Sequence, residues 1–220
     1  FLKGTTLVLG VAATPLSSLV GCTEYTAPEG TAWAAGVRFG DADCAFGPDG
    51  STVEVVFDEH LVRRYDAGGS LRSIVGGMGS ERGELNGPGA VAFDPSGDAW
   101  VLDLGNRRVQ RFDADGGVVA VADTADDDRP LRPSDIAVDD QGRLWIADAA
   151  HGRIVVTNDR GAPRTVFPLA TDGDAPYRSP RALALQSDGQ PLVATHGKPV
   201  IERYGYDGEL RTRIVDEGLT

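Results

Sequence analysis

Three histidines, two cysteines and a scatter of aspartates are the residues whose types could do chemistry in this 220-residue chain. His60, His151 and His196 carry the side chain that binds zinc, and a zinc site needs several such ligands converging on one point. Asp41, Asp43 and Asp135 offer the hard oxygens that calcium takes, and Asp126-Asp127-Asp128 crowds three carboxylates into one run that reads as a solvated loop. Cys22 follows Leu19-Val20-Gly21, and Cys44 follows Asp43. Gly-x-Ser-x-Gly, His-Glu-x-x-His and Cys-x-x-Cys are all missing, so this stretch shows no nucleophile elbow, no zinc-protease helix and no haem attachment. Whether the remaining groups can act together depends on the elements that position them.

Those elements repeat. Gly83 to Ala122 reads as four short strands joined by tight turns, with Asp94-Pro95-Ser96-Gly97 as the clearest turn: Pro presets φ and Gly takes the left-handed position that follows. Gly50, Gly97, Gly142 and Gly189 end equivalent turns, at spacings of 97−50 = 47, 142−97 = 45 and 189−142 = 47. Pro88, Pro133 and Pro180 open the first strand. Trp100 and Trp145 sit on the second, each three residues before an aspartate (Asp103, Asp148), and Val62, Val109, Ile154 and Ile201 match on the third. Markers that agree on one period, with four strands per period, predict an all-β β-propeller of four-stranded antiparallel blades, four of them visible.

The pattern Pro-x-x-[Val/Ile]-Ala-[Phe/Val]-Asp, then Gly, then Trp-[Val/Ile]-x-Asp-x-x-[Asn/His]-x-Arg-[Val/Ile], resembles the NHL repeat of six-bladed propellers. Gly87 to Phe112 carries it best and Arg132 to Val156 next, while Asp41 to Tyr65 and Ser179 to Tyr204 are degenerate. The resemblance implies the fold and leaves function open, since such propellers serve as enzymes, sensors and scaffolds. With four repeats where the family has six blades, the chain is expected to be a fragment, with repeats at about 37–78, 79–126, 127–172 and 173–217.

Placed in the repeat, the histidines lose their common register. They fall four, three and one residues after the Asp103-equivalent positions Val56, Asp148 and Thr195, in three different blades. Peptidylglycine amidating lyases, similar in fold, hold zinc with histidines from different blades, but their Asp-x-x-x-His pattern meets Arg107 and Gly152 here. Calcium-dependent lactonases of the gluconolactonase type imply a second enzyme reading, with Asp43 and Asp135 on the inner strands of alternate blades. Ala90 and Ala182 fill that position in the other two. Asp103 and Asp148 are expected to form turns by accepting backbone N–H bonds, Arg108 and Arg153 to pair structurally between blades, and Trp100 and Trp145 to pack between blades. Cys44 aligns with Val91, Ile136 and Leu183 and is expected to be a small buried hydrophobe. The preferred reading is therefore a binding module for a protein, peptide or glycan, presenting Asn106, Arg107, His151 and His196 from the second-to-third-strand turns. A zinc or calcium enzyme is the alternative.

A net charge of −12 and a pI near 4.6 exclude nucleic-acid binding, which needs clustered Lys and Arg. The run Thr5 to Val20 is too short and too broken by Pro15, Ser17 and Ser18 for a membrane span, and it fits a signal-peptide core. Leu19-Val20-Gly21-Cys22 resembles the bacterial lipobox, and Phe1-Leu2-Lys3-Gly4 the tail of the twin-arginine motif. Residues 1–22 are thus expected to be a signal peptide cut at its start, 23–36 a tether, and the mature protein lipid-anchored through Cys22 outside the cytoplasm or in the periplasm. Cys22→Ala is expected to abolish incorporation of a labelled fatty acid in the producing cell, and unchanged labelling removes the anchor.

Overall fold

The computed structural model describes residues 37–39, 42–123, 131–170, 178–196 and 200–215. The expected signal segment and tether, Asp41, the run 126–128 and Lys198 lie outside them. The described residues are all-β, in four antiparallel sheets. Blade one is β1 (Val37–Phe39), β2 (Ala42–Phe46), β3 (Thr52–Val56), β4 (Leu61–Tyr65) and β5 (Leu71–Gly76). Blade two is β6 (Pro88–Phe93), β7 (Ala99–Asp103), β8 (Arg108–Phe112) and β9 (Val118–Asp123). Blade three is β10 (Pro133–Val138), β11 (Leu144–Asp148), β12 (Arg153–Thr157) and β13 (Pro163–Pro168). Blade four is β14 (Pro180–Leu185), β15 (Pro191–Thr195), β16 (Val200–Tyr204) and β17 (Leu210–Val215). Every blade is a meander in sequence order, and β1 adds a fifth strand on the inner edge of blade one.

The turns work as their residues dictate. Gly50, Gly97, Gly142 and Gly189 have φ of +81°, +87°, +75° and +77°, which an L side chain rarely adopts. Asp94 Oδ1 accepts the Ser96 and Asp98 N–H groups, and Asp139 Oδ1 those of Gln141 and Arg143. These Asx turns fix where each hairpin reverses.

Inner strands β2, β6, β10 and β14 pack side by side in that order, and no comparable packing of β14 on β2 occurs among the described residues. The four sheets form an open arc. Three apolar seams join them. Val53, Val55 and Val62 meet Val91, Val101 and Phe112 at the first seam. Trp100, Leu102 and Val109 meet Ile136, Leu144 and Ile146 at the second, and Trp145, Ala147 and Ile154 meet Leu183, Val193 and Tyr204 at the third. Trp100 and Trp145 are the largest fully buried side chains, so the expected inter-blade role holds. Cys44 is buried, as expected. Blade three also closes on Trp100 from outside: Gly161, at φ +84°, lies where a Cβ would come within 3.2 Å of the indole and 2.7 Å of Ala122.

The two tryptophans differ in one respect. Trp145 Nε1 donates to Asp139 Oδ2 at 2.9 Å, whereas Trp100 Nε1 has no partner among the described residues. Replacing either ring by phenylalanine removes similar apolar area, but only Trp145→Phe also loses a buried charge-assisted bond. Trp145→Phe is therefore expected to cost more than Trp100→Phe by about 1–3 kcal/mol in urea melts, and equal losses would count against this bond.

Candidate functional site

The second-to-third-strand turns of blades one to three lie at one end of the arc, with the crossover 77–87 and the residues just before β10 and β14. Two buried carboxylates organise this end. Asp103, with no solvent exposure, closes β7. Its Oδ1 accepts the Asn86 N–H at 2.8 Å, and its Oδ2 accepts Asn106 Nδ2 at 2.8 Å and Arg108 Nε at 2.9 Å. Arg108 then reaches over the crossover between β5 and β6, donating from Nη1 to the Ser80 carbonyl and from Nη2 to those of Glu81 and Glu84, each at 2.8 Å. Gln110 adds bonds to the Glu84 carbonyl and from the Gly83 N–H. Asp148 does the same in blade three: Oδ1 takes the Arg132 N–H at 3.1 Å, while Oδ2 takes Arg153 Nε at 2.8 Å and His151 Nδ1 at 2.7 Å. Both aspartates accept backbone N–H bonds as expected, but from the chain entering the blade rather than from their own turn, and Arg108 and Arg153 bind the aspartate of their own blade where pairing between blades was expected. A buried carboxylate tolerates desolvation only when its oxygens are this fully matched.

Blade four has Thr195 where Asp103 and Asp148 stand, and an anion comes from elsewhere. Glu202, fully buried on β16, takes Arg178 Nη1 at 2.8 Å, Arg213 Nε at 2.9 Å and the Tyr204 hydroxyl at 2.7 Å. Burial, together with the Glu202 carboxylate it donates to, holds that hydroxyl well above the usual phenol range. Glu202 occupies the strand position of Gln110 and Val155, and sequence reasoning passed it over. A charged residue at a core-facing strand position was the available signal.

Among the four candidate binding residues the structure separates two kinds. Asn106 is turned inward, its amide shared between Asp103 and the Gly79 carbonyl at 2.8 Å. Arg107 and His196 are exposed, and His151 is half-buried. Because Asp148 accepts at Nδ1, the proton of a neutral His151 sits there and Nε2 is left as the acceptor. Arg107 holds φ of +56°, and the equivalent positions His60 and Gly152 hold +57° and +59°. The left-handed turn is thus a property of the repeat, glycine in one blade and a displayed or bonded side chain in two.

The three histidines of the zinc reading are each in a separate turn. His60 Nδ1 accepts the Gly87 N–H at 2.8 Å, His151 pairs with Asp148, and the His196 N–H donates to the Ser179 carbonyl. Asp43 and Asp135 each serve a strand irregularity. The ladder shifts register just after Pro88, Pro133 and Pro180. Beside each shift, Val91, Ile136 and Leu183 carry N–H groups that a side chain accepts. Asp43 Oδ2 takes the Val91 N–H and Asp135 Oδ2 the Leu183 N–H, each at 2.9 Å from the preceding blade. Ala90 has no acceptor to offer blade three, and there Asp135 Oδ1 takes the Ile136 N–H itself. This accounts for the alternation of Asp and Ala along the arc. Among the described residues no group of three His, Cys, Asp or Glu side chains is placed to hold a metal ion.

A family model for the NHL repeat matches residues 131–156, the first three strands of blade three. The whole arc is similar to virginiamycin B lyase from Staphylococcus aureus, at 17% identity and a TM-score of 0.62, over 80% of this chain and 55% of that one. It is also similar to Kuenenia stuttgartiensis hydrazine synthase, at 18% identity and a TM-score of 0.60, over 78% of this chain and 47% of that one. A Bacteroides caccae protein of unknown function aligns over 87% of this chain and 63% of that one, at 15% identity and a TM-score of 0.59. The chain therefore spans about half the length of the first of these neighbours. Likeness at such identities establishes the β-propeller fold. No curated protein matches the sequence.

Removing one partner of a buried ion pair leaves the other charge unmatched. Asp103→Ala is therefore expected to cost about 3–5 kcal/mol in denaturant melts. Arg107→Ala, on the same turn but exposed, is expected to stay within about 0.5 kcal/mol of the parent, and a comparable loss from both would remove Asp103 as the anchor.

Proposed function

We propose that this chain is a binding scaffold of the cell envelope, exported and lipid-anchored through Cys22, that presents its turn face to a protein, peptide or glycan. One observation carries the reading. Buried anions and inward-turned arginines fix the backbone of the turns, while Arg107 and His196 point to solvent and His151 offers Nε2 from an imidazole oriented by Asp148. Rigid loops with displayed side chains suit recognition, because little conformational entropy remains to be lost on binding. No nucleic acid is expected at so acidic a surface.

The same reading takes the arc as part of a six-bladed ring. Leu192, Ala194, Ile201 and Ile214 of blade four lie in the register that blades one to three bury against the next sheet, and Ile214 is 52% exposed. The opposite end of the arc is different. Blade one carries Glu54, Arg63 and Tyr65, with the Tyr65 hydroxyl on Glu54 at 3.0 Å, where the other blades bury mostly apolar side chains. Two such unlike faces do not suit direct packing, which favours further sheets between them.

A metal-dependent propeller enzyme, lyase or lactonase, is the second reading. The Asp148-oriented His151 favours it, since a fixed imidazole with an outward Nε2 can serve as base or ligand. Asp43 and Asp135 would be its calcium ligands only at the expense of the inter-blade bonds they make.

Peptide and glycan arrays probed with the intact protein, beside metal analysis of the same preparation, separate the two. The triple variant Arg107→Ala/His151→Ala/His196→Ala is expected to lose at least about tenfold in capture, roughly 1.4 kcal/mol, at a temperature where its melting curve shows it still folded, since His151→Ala also takes a donor from the buried Asp148. Undiminished capture by the triple variant rejects the turn face. A stoichiometric ion whose removal abolishes an activity rejects the pure binding reading.

A further inference from the structure

The crossover 77–87 is closed on itself by one residue. The Gly77 N–H donates to the His60 carbonyl at 2.8 Å, and the Gly87 N–H to His60 Nδ1 at 2.8 Å, so both ends of the loop meet on one side chain and its backbone. His60 holds φ of +57° to do this, a conformation unusual for a side chain of its size. The loop's Gly87 end is also joined to the binding face: the Asn86 N–H bonds Asp103, and the Gly105 N–H bonds the Asn86 carbonyl at 2.8 Å. Arg107 lies two residues beyond Gly105.

An imidazole nitrogen can accept that amide only while it carries no proton, and histidine is the side chain that changes charge across the physiological range. We propose that His60 is a pH-sensitive latch, holding the Gly87 end of the crossover while neutral and releasing it when protonated, and thereby loosening the turn that displays Arg107. As regulation of the turn face this rests on the binding reading above, but the latch itself is a property of the loop. The charged groups on the elements packed around it are Asp58 and Glu59 on its own turn, Arg63 on β4 (held by Glu59 at 2.8 Å), Glu81, Arg82 and Glu84 on the crossover, and Asp103, Arg107 and Arg108 in blade two. Release is local. Leu85, fully buried in the first seam, and the Gly79 and Leu85 N–H bonds inside the loop do not involve the imidazole.

Amide hydrogen exchange of the intact protein, corrected for the intrinsic pH dependence of exchange, tests this without any ligand. From pH 8 to pH 5 the protection of the Gly87 amide is expected to fall at least about tenfold, while the Gly79 and Leu85 amides change little. His60→Gly, which keeps the left-handed turn and removes the acceptor, is expected to show low Gly87 protection at both pH values. His60→Asn, which tolerates the same φ and does not titrate, is expected to show no pH step. A flat Gly87 profile in the parent, a matching step in His60→Asn, or Gly79 and Leu85 falling together with Gly87 overturns the latch. A confirmed latch with no capture on the arrays leaves it standing and rejects only the binding reading.

Discussion

A carboxylate buried at the end of the second strand holds each well-formed blade to the loop that enters it. The arrangement is demanding: an anion without water must find donors for every lone pair, and one missing donor makes it a liability. Asp103 and Asp148 meet the demand with the arginine that opens the next strand, a backbone amide from the chain entering the blade and a turn side chain. Blade four shows what is essential. Thr195 cannot play the part, and Glu202 supplies the anion from β16, with Arg178 reaching in from the crossover side. What persists is a buried negative charge that captures the incoming chain, and its position is free to move.

Between blades the demand is of another kind. Each interior sheet is apolar on both faces, so it has no stable existence alone and must be covered twice. The seams answer with branched aliphatics and the two tryptophans. Where the ladder shifts register after the opening proline, a backbone amide turned toward the neighbouring blade needs an acceptor. Asp43 and Asp135 provide it across the seam, and where Ala90 cannot, Asp135 serves its own blade. Polar satisfaction at the inner strand and apolar burial further out are thus one interface.

The period was legible because turn chemistry is local. A Pro-preset hairpin ending in a left-handed glycine depends on a few consecutive residues, and four such turns at one spacing reveal the blades whatever their surroundings. Trp100, Trp145, Asp103 and Arg108 were legible for the same reason, each sitting at a fixed offset within its own repeat. The candidate site was legible only in outline. The pattern brought the turns to one end of the arc, but nothing local says that the Asn106 amide faces inward while Arg107 faces out. Asp43 and Asp135 stand out in a sequence only by residue type and register, whereas the amides they accept across the seam lie 48 residues away in the neighbouring blade. His60 was hidden similarly: its partner is the Gly87 amide, 27 residues on.

The left-handed position shared by His60, Arg107 and Gly152 shows how a repeat acquires differences of function without altering its frame. The backbone there turns sharply in all three blades, as the φ values of +57°, +56° and +59° record. Gly152 adopts it without strain, and its carbonyl accepts the Leu169 N–H. Arg107 accepts the strain and carries a cation out to solvent. His60 accepts it and fastens the crossover. Strain of this kind persists only where surrounding bonds over-determine the conformation, and the anchored crossover is what supplies them here. The framework that makes the blades stable therefore also permits their turns to diverge: once Asp103 and Arg108 fix the backbone, the side chain at the left-handed position can differ from blade to blade.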